Sequence, residues 1–243
     1  IDKEALLRGT SIYYADKVIP MLPKELSNGI CSLNPGEDRL TMSAFIELSK
    51  EGEMLSYRFC KSVIRSRVKG VYSELNRILD GTETPDITEK YKEVRSDFML
   101  MNELADKLIA KKKLRNAPEI ETTESKLLIG EDGICRDVQP RERGKSERII
   151  EEFMLTANEA AAKLAADKKV PFVYRVHEAP PEAKTEALHE ILPKYGLECP
   201  HFSEFKPVHA ARILESARGT DKFEAVNMLV LRSMAKGKDS TEP

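Results

Sequence analysis

The sequence predicts an α+β protein, on three observations. Alternating apolar residues mark two strands at 40–48 and 55–59. A stripe of apolar residues at helical spacing runs from Ile87 to Leu108, and three more helical patterns gather after residue 181. Strands and helices come in runs and not in regular alternation, which separates this class from α/β.

Asp2 is placed to cap a short helix carrying Ala5, Leu6 and Leu7, and Gly9 ends it. Thr10 to Pro23 then reads as an extended, turn-rich loop, pinned by Pro20, Pro23 and the Asn34-Pro35-Gly36 turn. Leu40, Met42, Ala44, Ile46 and Leu48 alternate with mostly polar neighbours, Lys50-Glu51-Gly52 breaks the run, and Leu55, Tyr57 and Phe59 resume it. That pattern predicts a hairpin with one buried face. Tyr72 to Leu79 reads as a helix stopped by Asp80-Gly81.

Ile87, Tyr91, Val94, Phe98, Met101, Ala105 and Leu108 recur at spacings of four and three, the signature of one long amphipathic helix. A strand, the turn Glu131-Asp132-Gly133 and a second strand follow. Ser146 and Glu147 open another long helix through Ala166, Val170 to Val176 reads as a buried strand, and helices near 181–195, 204–217 and 222–236 complete the pattern. No internal repeat or low-complexity tract is present.

With 41% hydrophobic and 33% charged residues in 243, the chain has the composition of a globular protein with one sizeable core, and one domain over 1–243 is expected. No apolar run approaches the ~20 residues that span a bilayer, so no membrane partner is expected. Net charge is -2, so any basic site has to be local. Cys31, Cys60, Cys135 and Cys199 are scattered without a CxxC pair, which fits a reducing, cytoplasmic setting.

The local basic signal is Met54 to Tyr72, which holds Arg58, Lys61, Arg65, Arg67 and Lys69 and no acid. A phosphate-tracking surface and a positively guarded sheet edge are equally good accounts of that charge. Lys107, Lys111, Lys112, Lys113 and Arg115 form a second cluster in the last turns of the long helix, where the helix dipole already favours cations. Tyr13, Tyr14 and Tyr72 could stack on bases beside those charges, although partial burial is the commoner fate of a tyrosine. Adjacent Glu151 and Glu152 point in different directions on a helix and cannot form an acid/base pair by themselves, whereas Glu151 and Asn158 share a face that is usually just solvated. Cys199-Pro200-His201 offers only two potential metal ligands, and no Asp-rich cluster, Walker loop or nucleophile elbow occurs.

The segment RGTSIYYADKVIPMLPKELSNGICSLNPGEDR, residues 8–39, closely resembles the loop that follows the active-site aspartates in the ribonuclease II / ribonuclease R family. VYSELNRILDG (71–81), ERIIEEFMLTANE (147–159), VPFVYRVHE (170–178) and the ending LRSM to STEP extend the resemblance along the chain. It implies an α+β RNB catalytic domain, with a mixed sheet flanked by helices around a channel for single-stranded RNA, truncated here at both ends. The implied reaction is processive, magnesium-dependent 3′-to-5′ hydrolysis to nucleoside 5′-monophosphates, an in-line attack by water between metal ions.

By the same resemblance Tyr13 matches an aromatic that stacks on a terminal base. Tyr72 and Glu151 match the catalytic-site pair that contacts the ribose, where a 2′-OH distinguishes RNA from DNA. Arg65, Arg67 and Lys69 are placed beside the channel on charge alone. Ile120 stands where the family has a second stacking aromatic. The family's metal-binding aspartates would lie before Ile1 and a catalytic arginine beyond Pro243, so the 243-residue chain is expected to be inactive alone. The alternative is a non-catalytic RNA-binding or scaffold protein on the same fold.

Overall fold

A computed structural model describes residues 1–120, 124–141, 143–199 and 205–242. These fall into two compact units. The first comprises residues 1–48, 54–103 and 123–151, and the second residues 49–53, 104–122 and 152–243.

The first unit begins with α1 (Asp2–Arg8), whose C-cap Gly9 adopts φ 66, the left-handed conformation that glycine enters without a steric penalty. Asp2 does not cap the helix. Ile1 holds the N-cap position, and Asp2 and Glu4 sit in the first turn, where negative charge complements the dipole. The expected loop 10–23 contains a small antiparallel pair, β1 (Ile12–Tyr13) with β2 (Val18–Ile19). Arg8 Nη1 donates to the Pro20 carbonyl at 2.7 Å and Ser11 Oγ accepts from the Met21 amide at 3.0 Å, so polar bonds hold this pair in addition to the expected prolines and turn. A short π-helix at Glu25–Ile30 follows.

The long hairpin forms as the alternation predicts, β3 (Asp38–Leu48) against β4 (Met54–Arg65), with Leu40 opposite Val63 and Ile46 opposite Tyr57. Gly36 donates to the Ser66 carbonyl at 2.8 Å, so the Asn34-Pro35-Gly36 turn is tied to the far end of β4. The expected buried face is a correction. Leu40 is 87% exposed, and Met42, Leu55 and Val63 are exposed too. The other face carries a ladder of hydroxyls, in which Ser62 Oγ lies 2.8 Å from Thr41 Oγ1 and 2.7 Å from Ser43 Oγ. Period-two alternation shows that the faces differ, not which of them is covered.

Helix α2 (Tyr72–Asp80) ends at Gly81 as expected. The apolar stripe after it is real, for Ile87, Tyr91, Phe98, Ala105 and Leu108 are all buried. The single helix is not: α3 (Pro85–Tyr91) and α4 (Arg95–Leu114) are separated by a tight turn in which the Val94 amide donates to the Tyr91 carbonyl at 3.0 Å. A three-residue turn keeps the stripe nearly in phase, which is why the spacing did not betray the break. The exposed pair β5 (Glu124–Ile129) and β6 (Cys135–Arg141) and the start of α5 (Lys145–Lys168) complete this unit.

The second unit has the larger apolar core. α6 (Glu182–Ile191) with a 3-10 turn at Leu192–Tyr195, α7 (Pro207–Ala217) and α8 (Phe223–Ser233) bury Leu188, Leu192, Ile213, Leu214, Val226 and Val230 together. The expected strand 170–176 shrinks to β7 (Tyr174–Val176), paired with β8 (Lys238–Ser240). Pro171 has no N–H to offer a ladder, and Val170 and Val173 are exposed, so only Tyr174 is buried there. Among the described residues the strands form four two-stranded antiparallel pairs and are not gathered in one mixed sheet. The α+β class stands.

Candidate nucleic-acid interface

Tyr13, Tyr72, Glu151, Arg65, Arg67 and Lys69 all belong to the first unit. Tyr13 stands on β1 and is 77% exposed, and Tyr72 is the first residue of α2, 42% exposed. Neither residue is sealed in an apolar pocket, so the Tyr13 ring is open to a planar partner. Tyr14 is exposed as well, with Lys17 Nζ 5.8 Å from its ring centroid.

The basic segment is less free than its sequence suggests. Arg65 Nε donates to Asp38 Oδ1 at 2.7 Å across the hairpin, and Arg67 lies 3.8 Å from Glu93. The Arg65 guanidinium holds the Asp38 carboxyl below its usual range. Arg58 stacks on Phe45, with its guanidinium carbon 3.8 Å from the ring centroid. The expectation of five uncompensated charges is therefore corrected: strand pairing and the tertiary fold bring acids from outside the segment to two of them. A cavity of about 200 Å³ beside Arg67 is lined also by Glu89, Lys90, Lys92 and Glu93, so it too has mixed charge.

Glu151 lies on α5 with its carboxylate solvent-accessible and 3.8 Å from Arg143 Nη1, a neighbour the sequence did not single out. Glu152 points the other way, is only 4% exposed and pairs with Lys112, as their adjacency on a helix requires. Lys111 and Arg115 are likewise engaged, by Glu53 at 2.8 Å and Glu159 at 3.3 Å, so three of the five cations of the second cluster have acidic partners within the second unit. Ile120 is half-buried against the helical core there. Pro200 and His201 lie outside the described residues.

Sequence reasoning missed the polar joint between α2 and the start of α5. Asn76 Nδ2 donates to Glu147 Oε2 at 3.0 Å, and Asn76 Oδ1 accepts from the Ser146 amide at 2.9 Å. Glu147 Oε2 also accepts from the Gly144 amide at 3.1 Å. Burial pushes the Glu147 carboxyl up, but bonds from Asn76, its own backbone, Ser146 and Gly144 hold it below its ordinary value. The available signal was Gly144-Lys145-Ser146-Glu147 itself: an acid three positions into a helix commonly reaches back to the first free amide.

Among the described residues no three His, Cys, Asp or Glu side chains gather closely enough to hold a metal ion. The resemblance places the magnesium ligands outside these residues, and none is assigned among them.

The sequence model of the RNB domain family matches residues 1–243. The chain belongs to the RNB domain family. It is 35% identical over 243 residues to ribonuclease R 1 of Lactococcus lactis, covering 99% of this chain and 29% of that protein. To ribonuclease R of Thermotoga maritima it is 38% identical over 237 residues, covering 97% and 33%. The RNB chain thus spans about a third of the curated relatives it matches. Among solved structures it is similar to Mycoplasma genitalium RNase R in complex with ribose methylated single-stranded RNA, with TM-score 0.91, 26% identity, all of this chain and 38% of that one. Yeast Ssd1, a pseudonuclease, shares the fold at TM-score 0.71 and 16% identity, over 99% of this chain and 28% of that one. Among the described residues no helix is long and apolar enough to cross a membrane.

Proposed function

We propose that the 243 residues are a working part of one RNB catalytic domain, in a cytoplasmic 3′-to-5′ exoribonuclease acting processively on single-stranded RNA. The carrying observation is the accessibility of the Tyr13 and Tyr72 rings and the Glu151 carboxylate on the unit that also exposes Arg65, Arg67 and Lys69. Tyr13 stacks on a base near the 3′ end. The Tyr72 hydroxyl and Glu151 hydrogen-bond a ribose 2′-OH, and the cations neutralise phosphates as the strand passes. Similarity to ribonuclease R proteins, one of them solved with single-stranded RNA, supports this reading.

Magnesium belongs to the proposal for the whole enzyme. On this reading the metal-binding acids are not among residues 1–243, and this chain by itself should bind RNA without cutting it. A 3′-labelled oligoribonucleotide incubated with the chain and magnesium should remain intact while its fluorescence anisotropy rises. Steady release of mononucleotides would place the chemistry within these residues, and absence of binding would remove the RNA reading altogether. A non-catalytic RNA binder on the same fold is the second reading, favoured only in that yeast Ssd1, named a pseudonuclease, has this fold. The two part on whether a longer form of the protein degrades the same substrate in the presence of magnesium.

A further inference from the structure

Helix α5 starts in an unusual way. Its first turn leaves backbone amides without intrahelical partners, and these need acceptors. Glu147, three positions in, accepts from the amide of Gly144, the residue before the helix, which is one half of a capping box. The other half normally comes from the N-cap side chain, but Gly144 has none. Asn76 of α2 takes its place, accepting from the Ser146 amide at 2.9 Å and donating to Glu147 at 3.0 Å. The fit is tight, for a Cβ on Gly144 would come within 2.0 Å of Asn76 Nδ2. Ser146, 1% exposed, sits at the centre, with its Oγ 3.2 Å from the Tyr72 carbonyl and 2.9 Å from Asn76 Oδ1.

The start of α5 is therefore built on a side chain of α2. Tyr72 lies four residues before Asn76, and Glu151 four residues after Glu147, so each stands one helical turn from the joint on the face that carries it. We propose that Asn76 is a positioning residue that fixes Tyr72 and Glu151 relative to each other, and so sets the preference for a ribose over a deoxyribose. This rests on the reading of Tyr72 and Glu151 as ribose contacts. A carboxylate and a phenol share one 2′-OH only while their helices keep register, and a displacement of about 1 Å is enough to lose oriented hydrogen bonding. Phosphate contacts by flexible arginines and lysines tolerate such a shift, so deoxyribose binding should persist.

The test measures anisotropy of a short fluorescein-labelled oligo(A) ribonucleotide and its deoxy counterpart with the full chain, beside unfolding midpoints. Asn76→Asp sets two carboxylates against each other and should lower the RNA-to-DNA affinity ratio about tenfold, the loss of one to two good hydrogen bonds. Asn76→Asp with Glu147→Gln removes the repulsion by reversing donor and acceptor between the two side chains, at the cost of the Gly144 amide's acceptor, and should recover about half of the lost ratio on a logarithmic scale. Glu147→Gln alone keeps the shape, so it reports even if Asn76→Asp fails to fold, and it should lower the ratio about threefold by weakening charge-assisted bonds. An unchanged ratio in the single variants, with only the midpoint lowered, would make the joint purely structural and overturn the inference. Tyr72→Phe and Glu151→Gln separate the two readings: if they too leave the ratio unchanged, the ribose-contact reading has failed first.

Discussion

The phenol oxygen of Tyr91 lies 2.6 Å from the Glu74 carboxylate and accepts from the Val71 amide at 3.1 Å. Tyr91, 1% exposed, thereby fixes the residue before Tyr72 and the third residue of the same helix at once. With the Asn76 joint, it holds α2 from a second side. Tyr91→Phe keeps the ring packing but leaves the Val71 amide without its partner, and should cost about 1–3 kcal/mol. Urea unfolding followed by circular dichroism would show it as a lower midpoint, and an unchanged midpoint would mean that water replaces the phenol.

Acid should unfasten this region. The Lys90 ammonium and the Tyr91 phenol hold the Glu74 carboxyl below its ordinary 4.5, and the bonded Glu147 carboxyl is also depressed despite burial. Groups depressed in the folded state stabilise it above their unfolded value, and that contribution is lost as pH falls through the folded one. The thermal midpoint should therefore be flat from about pH 7 to about pH 5 and drop below about pH 4.5. Glu147→Gln should be less stable at neutral pH and show a shallower acid limb, and parallel curves for the two proteins would contradict the assignment.

In the second unit, Glu152 is a nearly buried carboxylate whose partner is Lys112. Lys112→Met strands that charge and should destabilise the protein by about 1–3 kcal/mol, less than a fully buried pair because the lysine is partly exposed. Adding Glu152→Met should recover most of the loss, since apolar residues of similar volume fill such sites well. A double variant no better than the single one would show that Glu152 has another role.

Asp38 is paired with Arg65, so on the proposed reading it would compete with a phosphate for that guanidinium. Asp38→Asn should tighten binding of a short oligoribonucleotide about two- to threefold at low salt and steepen its salt dependence, as one more cation becomes available. Arg65→Ala in the same assay should weaken binding of RNA and DNA alike, since phosphate contacts carry no ribose information. Equal affinity of the Asp38→Asn and unaltered proteins across salt concentrations would take Arg65 out of the binding surface.

The sequence by itself determined the local elements. The hairpin follows from alternation around Lys50-Glu51-Gly52, the end of α2 from Gly81, the buried stripe from the spacing of Ile87, Tyr91, Phe98 and Leu108, and the divergence of Glu151 and Glu152 from their adjacency. Each depends on relations within about four residues, the range over which helix and strand geometry repeats. Only the tertiary structure decided that Leu40 and Met42 face outward, that Asp38 and Glu93 answer Arg65 and Arg67, that the stripe bends at Val94, and that Asn76 caps a helix about seventy residues away in sequence. Partners so remote leave no periodic mark on the chain, because a hydrogen bond or an ion pair needs proximity, and proximity is set by the packing of whole elements.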